Sequence, residues 1–202
     1  MFKPRLWFLA ALLVYSLAMR LLPYVLYQFG VSIHPETTAY PWNFSPMYAI
    51  CLFGGACFAD RRWALAIPLL AFLIGDLGIW ALTGKVEWAF YSEQPFVYAG
   101  VLLTVAMGFL LRNRRSVLNI AAAGLAASVM FFLLTNFGVW LAGNGVRYSK
   151  DIHGLVECYT MGLPFFRNSL ISMAIFSAIL FSPIALAKLD AEPETASTAA
   201  TT

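Results

Sequence analysis

Residues 117–141 read VLNIAAAGLAASVMFFLLTNFGVWL and contain no Asp, Glu, Lys or Arg. A helix of about 20 apolar residues is long enough to cross the hydrocarbon core of a bilayer. Comparable apolar stretches, each bounded by charged or turn residues, recur along the chain. They predict six membrane-spanning helices, at residues 6–29, 45–59, 63–82, 96–111, 117–141 and 164–187.

The composition supports a membrane protein. Of the 202 residues, 61% are hydrophobic and 11% are charged, whereas soluble domains have about 25% charged residues. The apolar run at residues 6–29 is longer than the 7–15 residues of a signal-peptide core, so it is predicted to remain as the first span. The fold class predicted is therefore all-α, a polytopic bundle forming a single domain over residues 1–187. Residues 188–202 are polar and small and are predicted to be a disordered tail.

The distribution of cations predicts the orientation. With six spans, the termini and the short turns at 60–62 and 112–115 share one side, and the longer loops share the other. Lysine and arginine concentrate on the cytoplasmic side of membrane proteins. The terminal side carries eight of these residues and the other side four: Lys3, Arg5, Arg61, Arg62, Arg112, Arg114, Arg115 and Lys188, against Lys85, Arg147, Lys150 and Arg167. Both termini are therefore predicted to be cytoplasmic, in the bacterial inner membrane, and the cations indicate orientation rather than nucleic-acid binding.

Two charged residues fall inside predicted spans, where ionisable side chains are costly and commonly functional. Arg20 and Asp76 lie at matching depth when residues are counted from the terminal side at 1.5 Å each. Asn136 takes the place of Asp76 in a similar segment, LLTNFGVW at 133–140 against LIGDLGIW at 73–80. Arg20 and Asp76 could form an ion pair that only holds the bundle together. Alternatively, Arg20, Asp76 and Asn136 could line an outward-facing cavity between the first, third and fifth spans.

The segment 151–166 is too apolar for a solvated loop and is predicted to dip into the membrane surface or to cover the bundle. His153 and Glu157 are four residues apart, so a helix would place them on one face. That spacing suits either a local hydrogen bond or two metal ligands, and both residues are candidates for ligand binding. No metal site and no cofactor are predicted, because no paired Cys-x-x-Cys or His-Glu-x-x-His pattern is present.

The first outer loop supplies further candidate ligand-binding residues. Trp42 and Asn43 precede Ser45 and Pro46, a pattern typical of a helix start, and the N–H groups of a first turn can meet an anionic ligand. Trp42 is equally explained as part of an interfacial aromatic belt. Gly54 and Gly55 in the second span are interpreted as small residues for close helix packing.

Several motifs resemble one of the uncharacterised families of small bacterial membrane proteins, classed as domains of unknown function. The resemblance covers roughly residues 40–185 and implies the six-span architecture without an activity. Its motifs are NFSP at 43–46, LFGG at 52–55, IPL at 67–69, TNFGVW at 135–140, GL at 154–155, CY at 158–159 and PFF at 164–166.

The layout of six spans and long outer loops is also similar to the substrate-binding S components of energy-coupling-factor transporters. That resemblance implies capture of a small solute from the outer side and partnership with coupling subunits in the bilayer. The histidine used by nickel- and cobalt-binding S components is not found at the N-terminus, so the resemblance does not extend to a metal. The alternative is a membrane scaffold or assembly factor that transports nothing. No catalytic motif is present, so an enzyme is not predicted.

Overall fold

The computed structural model describes residues 2–31 and 43–188. These residues form seven helices and two three-residue strands. The helices are α1 (Leu6–Gln28), α2 (Met47–Cys57), α3 (Arg61–Thr83), α4 (Val86–Ala89), α5 (Gln94–Leu110), α6 (Val117–Ala142) and α7 (Ile152–Leu180). Within the described residues, α1, α3, α6, α7 and the α4–α5 segment are long and apolar enough to cross a membrane. The prediction of a helical, multi-pass membrane protein is confirmed.

The two ends of the described chain pair with each other. Strand β1 (Phe2–Pro4) runs antiparallel to β2 (Leu186–Lys188), with Phe2 opposite Lys188. Beside the strands, the Arg5 N–H donates to the Ala185 carbonyl oxygen at 2.8 Å. Both ends therefore lie at one end of the bundle, here called the basic end, and the opposite end is called the loop end. That the basic end faces the cytoplasm stays a prediction.

Helix α2 is the centre of the bundle and differs from the predicted second span. It contacts α1, α3, α5 and α7, and Ile50, Leu52 and Phe53 are at most 1% exposed. Its 11 residues extend about 16 Å at 1.5 Å per residue, roughly half of the 30 Å hydrocarbon core. The prediction of a full crossing at residues 45–59 is wrong, because the chain enters α2 inside the bundle.

Polar contacts hold this internal helix start. Asn43 has a φ of 62°, a left-handed conformation that asparagine tolerates better than most residues. The Ser45 hydroxyl lies 3.2 Å from that of Ser16, halfway along α1, and accepts the Met47 N–H at 3.3 Å. The Ser172 hydroxyl of α7 donates to the Ser45 carbonyl oxygen at 2.5 Å. The N-terminal end of α2 therefore lies deep among apolar helices, in a small polar environment.

Helix α7 begins earlier than predicted. The sequence predicted a span from residue 164 and a dipping segment before it, whereas one helix of 29 residues runs from Ile152 to Leu180. The Asp151 side chain starts it by accepting the Gly154 N–H at 2.9 Å, as helix N-caps do. Pro164 lies inside the helix, where neighbouring helices make a proline tolerable in a membrane.

The packing of α2 against α5 depends on two glycines that face each other. A Cβ atom on Gly55 would lie 2.2 Å from the Val105 carbonyl oxygen and 2.9 Å from the Gly108 Cα. A Cβ atom on Gly108 would likewise lie 2.2 Å from the Leu52 carbonyl oxygen. Close approach of two backbones requires small residues in membrane helices. For Gly55, the sequence interpretation of close packing is confirmed.

Candidate functional site

The predicted ion pair between Arg20 and Asp76 is present. An Arg20 terminal nitrogen donates to Asp76 Oδ1. The other carboxylate oxygen, Oδ2, accepts from Gln94 Nε2 at 2.5 Å and from the Tyr98 hydroxyl at 2.7 Å. Asp76 is fully buried, at 0% exposed. This single carboxylate therefore joins α1, α3 and α5 through three donors.

Glycine on α3 lets the Arg20 side chain lie against the helix backbone. A Cβ atom on Gly75 would lie 2.8 Å from Arg20 Cδ and 2.9 Å from Nε. The guanidinium carbon is 5.1 Å from the centre of the Phe72 ring, within the range of a cation–π contact. Arg20 Nε is enclosed and has no hydrogen-bond partner among the described residues, so Asp76 does not use all five donors of the guanidinium.

Beside this pair lies a cavity of about 230 Å³, here called the arginine cavity. It is bounded by α1, the start of α2, α3 and the segment around α4. The Arg20 side chain remains 28% exposed and is the one charged side chain among the lining residues that the structure describes. The lining consists of Ser16, Met19, Arg20, Pro23, Tyr24, Asn43, Phe44, Ser45, Met47, Tyr48, Phe72, Ile79, Trp88 and Tyr91.

Aromatic rings form the wall nearest the loop end. The Trp88 ring centre lies 6.2 Å from that of Tyr24 and 5.4 Å from that of Tyr27. Lys85 Nζ lies 4.0 Å from the centre of the Trp88 ring. The Gln28 side chain donates to the Leu82 carbonyl oxygen and so ties the end of α1 to the end of α3. The cavity is thus framed by planar apolar surfaces with the guanidinium at one side.

A second cavity, of about 180 Å³, lies on the other side of α2 and is called here the asparagine cavity. Its walls come from α2, α5, α6 and α7, and Asn43 and Tyr48 line both cavities. Asn136 Nδ2 donates to the Phe132 carbonyl oxygen of its own helix at 2.9 Å. The Cys158 thiol of α7 donates to the backbone carbonyl oxygen of Asn136 at 3.3 Å, which joins α6 to α7 at this residue.

The structure divides the predicted site residues among several places. Arg20 lines the arginine cavity, Asn136 lines the asparagine cavity and Asn43 lines both, whereas Asp76 lines neither. The proposed single cavity of Arg20, Asp76 and Asn136 is instead two cavities, because α2 lies between α1 and α6. The remaining predicted residues lie elsewhere: His153 and Glu157 are exposed at the start of α7, and Trp42 is outside the described residues.

Several important side chains were not selected from the sequence. Gln94 and Tyr98, the other two donors to Asp76, lie four residues apart near the start of α5. That spacing places them on one helix face and is a signal that could have identified them. Tyr24, Trp88 and Tyr91 could not be singled out in this way, because aromatic residues near span ends are expected in any membrane protein.

The described residues offer no clustered metal ligands. Across residues 2–31 and 43–188, no three His, Cys, Asp or Glu side chains lie close enough to hold one ion. The arginine cavity itself presents a guanidinium, serine hydroxyls and aromatic side chains.

Comparison with known proteins identifies the family of the chain. A family model described as a family of unknown function, DUF6580, matches residues 1–195. The chain belongs to the DUF6580 family. No curated protein and no solved structure matches it. The predicted membership of an unknown-function family is confirmed. These comparisons do not show the resemblance to S components, which stays a prediction.

Proposed function

We propose that this DUF6580 protein binds a small solute in the arginine cavity. The observation that carries the proposal is a partly exposed guanidinium, held in place by Asp76, at a concave and partly open cavity that aromatic side chains line in part. Small-molecule sites are concave and mostly apolar, with a few fixed polar groups. An ionisable residue at this depth is costly unless it has a role or a partner. The 230 Å³ volume is below the 300–1,000 Å³ of drug-sized sites, so it suits a smaller solute.

We further propose a role in solute transport, based on the S-component-like arrangement of spans. The solute enters from the loop end, which faces away from the cytoplasm in a bacterial inner membrane, and coupling subunits complete a transporter. The internal start of α2 supports this reading, because transporters place solute sites near the bilayer midplane at the ends of broken helices. The proposal assigns the chain no catalytic activity.

The alternative is a membrane scaffold, and one observation favours it. Asp76 accepts hydrogen bonds from three side chains on two neighbouring helices and is fully buried. Such a network specifies how α1, α3 and α5 pack whether or not a solute binds. The two functions differ in one respect that can be measured, since only a binding protein is stabilised by a specific small molecule.

A thermal-shift screen with two blocking variants tests the proposal. Vitamins, nucleobases, amino acids and small organic acids are added to the purified protein, and a ligand of the folded state raises Tm with concentration. Ser16→Leu fills the arginine cavity and Ser128→Leu, the matched control, fills the asparagine cavity. We expect the shift to disappear in Ser16→Leu and to persist in Ser128→Leu. A screen without any specific shift, or a shift that both variants retain, contradicts binding in the arginine cavity.

A further inference from the structure

We propose that the solute of the arginine cavity is a small monoanion, a carboxylate carried on a planar apolar body. This inference rests on the proposed function and names the class of solute. Three features of the cavity support it: the charge it presents, the donors around that charge and the shape of its walls.

The charge presented to the cavity is positive. Asp76 compensates Arg20 from behind, but its carboxylate is 0% exposed and lines neither cavity. Both carboxylate oxygens accept bonds from side chains of α1 and α5, which disperses the negative charge away from the cavity. Among the lining residues within 2–31 and 43–188, Arg20 is the only one of the Asp, Glu, Lys, Arg and His types. A solute in the cavity therefore meets the guanidinium and not its counter-ion.

The start of α2 adds a second positive contribution. Met47, the first residue of this 11-residue helix, lines the same cavity as Arg20. At this end the Met47 N–H donates to the Ser45 hydroxyl at 3.3 Å, and a helix N-terminus carries about half a positive charge. Ser16 and Ser45 place hydroxyl groups next to it. Arg20 and the helix end together exceed the single negative charge of Asp76, so the cavity is electrostatically suited to one added negative charge.

The donor geometry and the walls define the rest of the solute. One terminal nitrogen of Arg20 donates to Asp76 and Nε is enclosed, so the other terminal nitrogen is the guanidinium donor left for a solute carboxylate. A phosphate dianion would bring a second negative charge for which the described lining offers no further cation. Phe72, Trp88, Tyr24 and Tyr91 are among the residues that line the cavity, and aromatic side chains pack well against flat apolar groups. A carboxylate on a ring or a short unsaturated chain fits all of these constraints.

Benzoate, benzamide and benzylamine test this inference as probes of equal size and different charge. Their binding is measured by titration calorimetry on protein in nanodiscs. We expect benzoate to bind at least about tenfold more tightly than benzamide, the difference expected for one charge-assisted hydrogen bond, and benzylamine to bind weakest. The double variant Arg20→Gln/Asp76→Asn removes both charges together and leaves no buried charge unpaired. It should lose the preference for benzoate, whereas Arg167→Gln, an exposed arginine on α7 that lines neither cavity, should keep it.

The outcomes separate the two proposals. Equal affinity for benzoate and benzamide, or a benzoate preference that survives in the double variant, contradicts the anionic solute and leaves solute binding intact. Failure of all three probes to bind the wild-type protein, together with a screen that returns no ligand, contradicts both.

Discussion

Replacing Asp76 with alanine is expected to lower the free energy of unfolding by about 3–5 kcal/mol, the cost of leaving one member of a buried ion pair without its partner. The substitution removes the acceptor for Arg20, Gln94 and Tyr98 at once. Unfolding of the purified protein in mixed micelles measures the change. Glu87→Gln on α4 is the matched control, because Glu87 is exposed and exposed charges contribute little to stability.

A double-mutant cycle isolates the pair. Asp76→Asn and Arg20→Gln should each destabilise the protein more than the double variant does, because each single change strands one charge. Additive effects of the two substitutions would show that the side chains do not interact.

Gly55→Ala is expected to destabilise the bundle by about 1–3 kcal/mol or more, as overpacking does in a core that cannot adjust. The new methyl group would lie 2.2 Å from the Val105 carbonyl oxygen and 2.9 Å from the Gly108 Cα. Both obstacles are backbone atoms, so α2 and α5 must separate. The change should appear as a lower Tm and a smaller folded fraction in detergent.

The neighbouring glycine is the control for this result. The atoms nearest to a Cβ atom on Gly54 belong to the Phe58 ring, at 3.5 Å, an ordinary contact. Gly54→Ala should therefore leave Tm close to that of the wild type, since alanine also suits a helix interior better than glycine. Equal effects of the two substitutions would mean that α2 and α5 are not in backbone contact at Gly55.

The sequence predicted the long helices and the Arg20–Asp76 pair because both follow from residue types and their positions along the chain. The length of an apolar stretch indicates whether it can cross the membrane. The number of residues from the start of a span gives the depth of a side chain in the membrane. The sequence was less informative about features that depend on contacts between residues distant in the chain. Helix α2 has the apolar character of a span, but its 11 residues start inside the bundle at contacts to Ser16 and Ser172, which are distant in sequence.

The start of α7 and the division of the site were missed for related reasons. His153, Glu157 and Pro164 lie in a segment that was predicted to dip into the membrane surface or to cover the bundle, although a long helix can carry polar residues beyond the hydrocarbon core and a proline within it. The separation of Arg20 from Asn136 depends on α2 passing between their helices, which no spacing in the sequence encodes. Tyr48 lines both cavities, and its place follows only from the packed bundle.

The arginine cavity is proposed to be a positively charged site that water reaches from the loop end. Tyr24→Cys, in a chain whose native cysteines are replaced with alanine, places one thiol on the cavity wall. The thiol is exposed in intact cells to two membrane-impermeant methanethiosulfonates, one anionic and one cationic. Val146→Cys, at a residue 87% exposed in the loop after α6, gives the intrinsic ratio of their rates. Val117→Cys, at a residue 86% exposed at the opposite end of α6, controls for reagent entry.

The two loop-end thiols should react and the thiol at residue 117 should not. Relative to the thiol at residue 146, the cavity thiol should favour the anionic reagent several-fold, and benzoate should slow its modification. A cavity thiol that does not react while the thiol at residue 146 does would contradict access from the loop end. A relative preference for the cationic reagent would contradict a positively charged cavity.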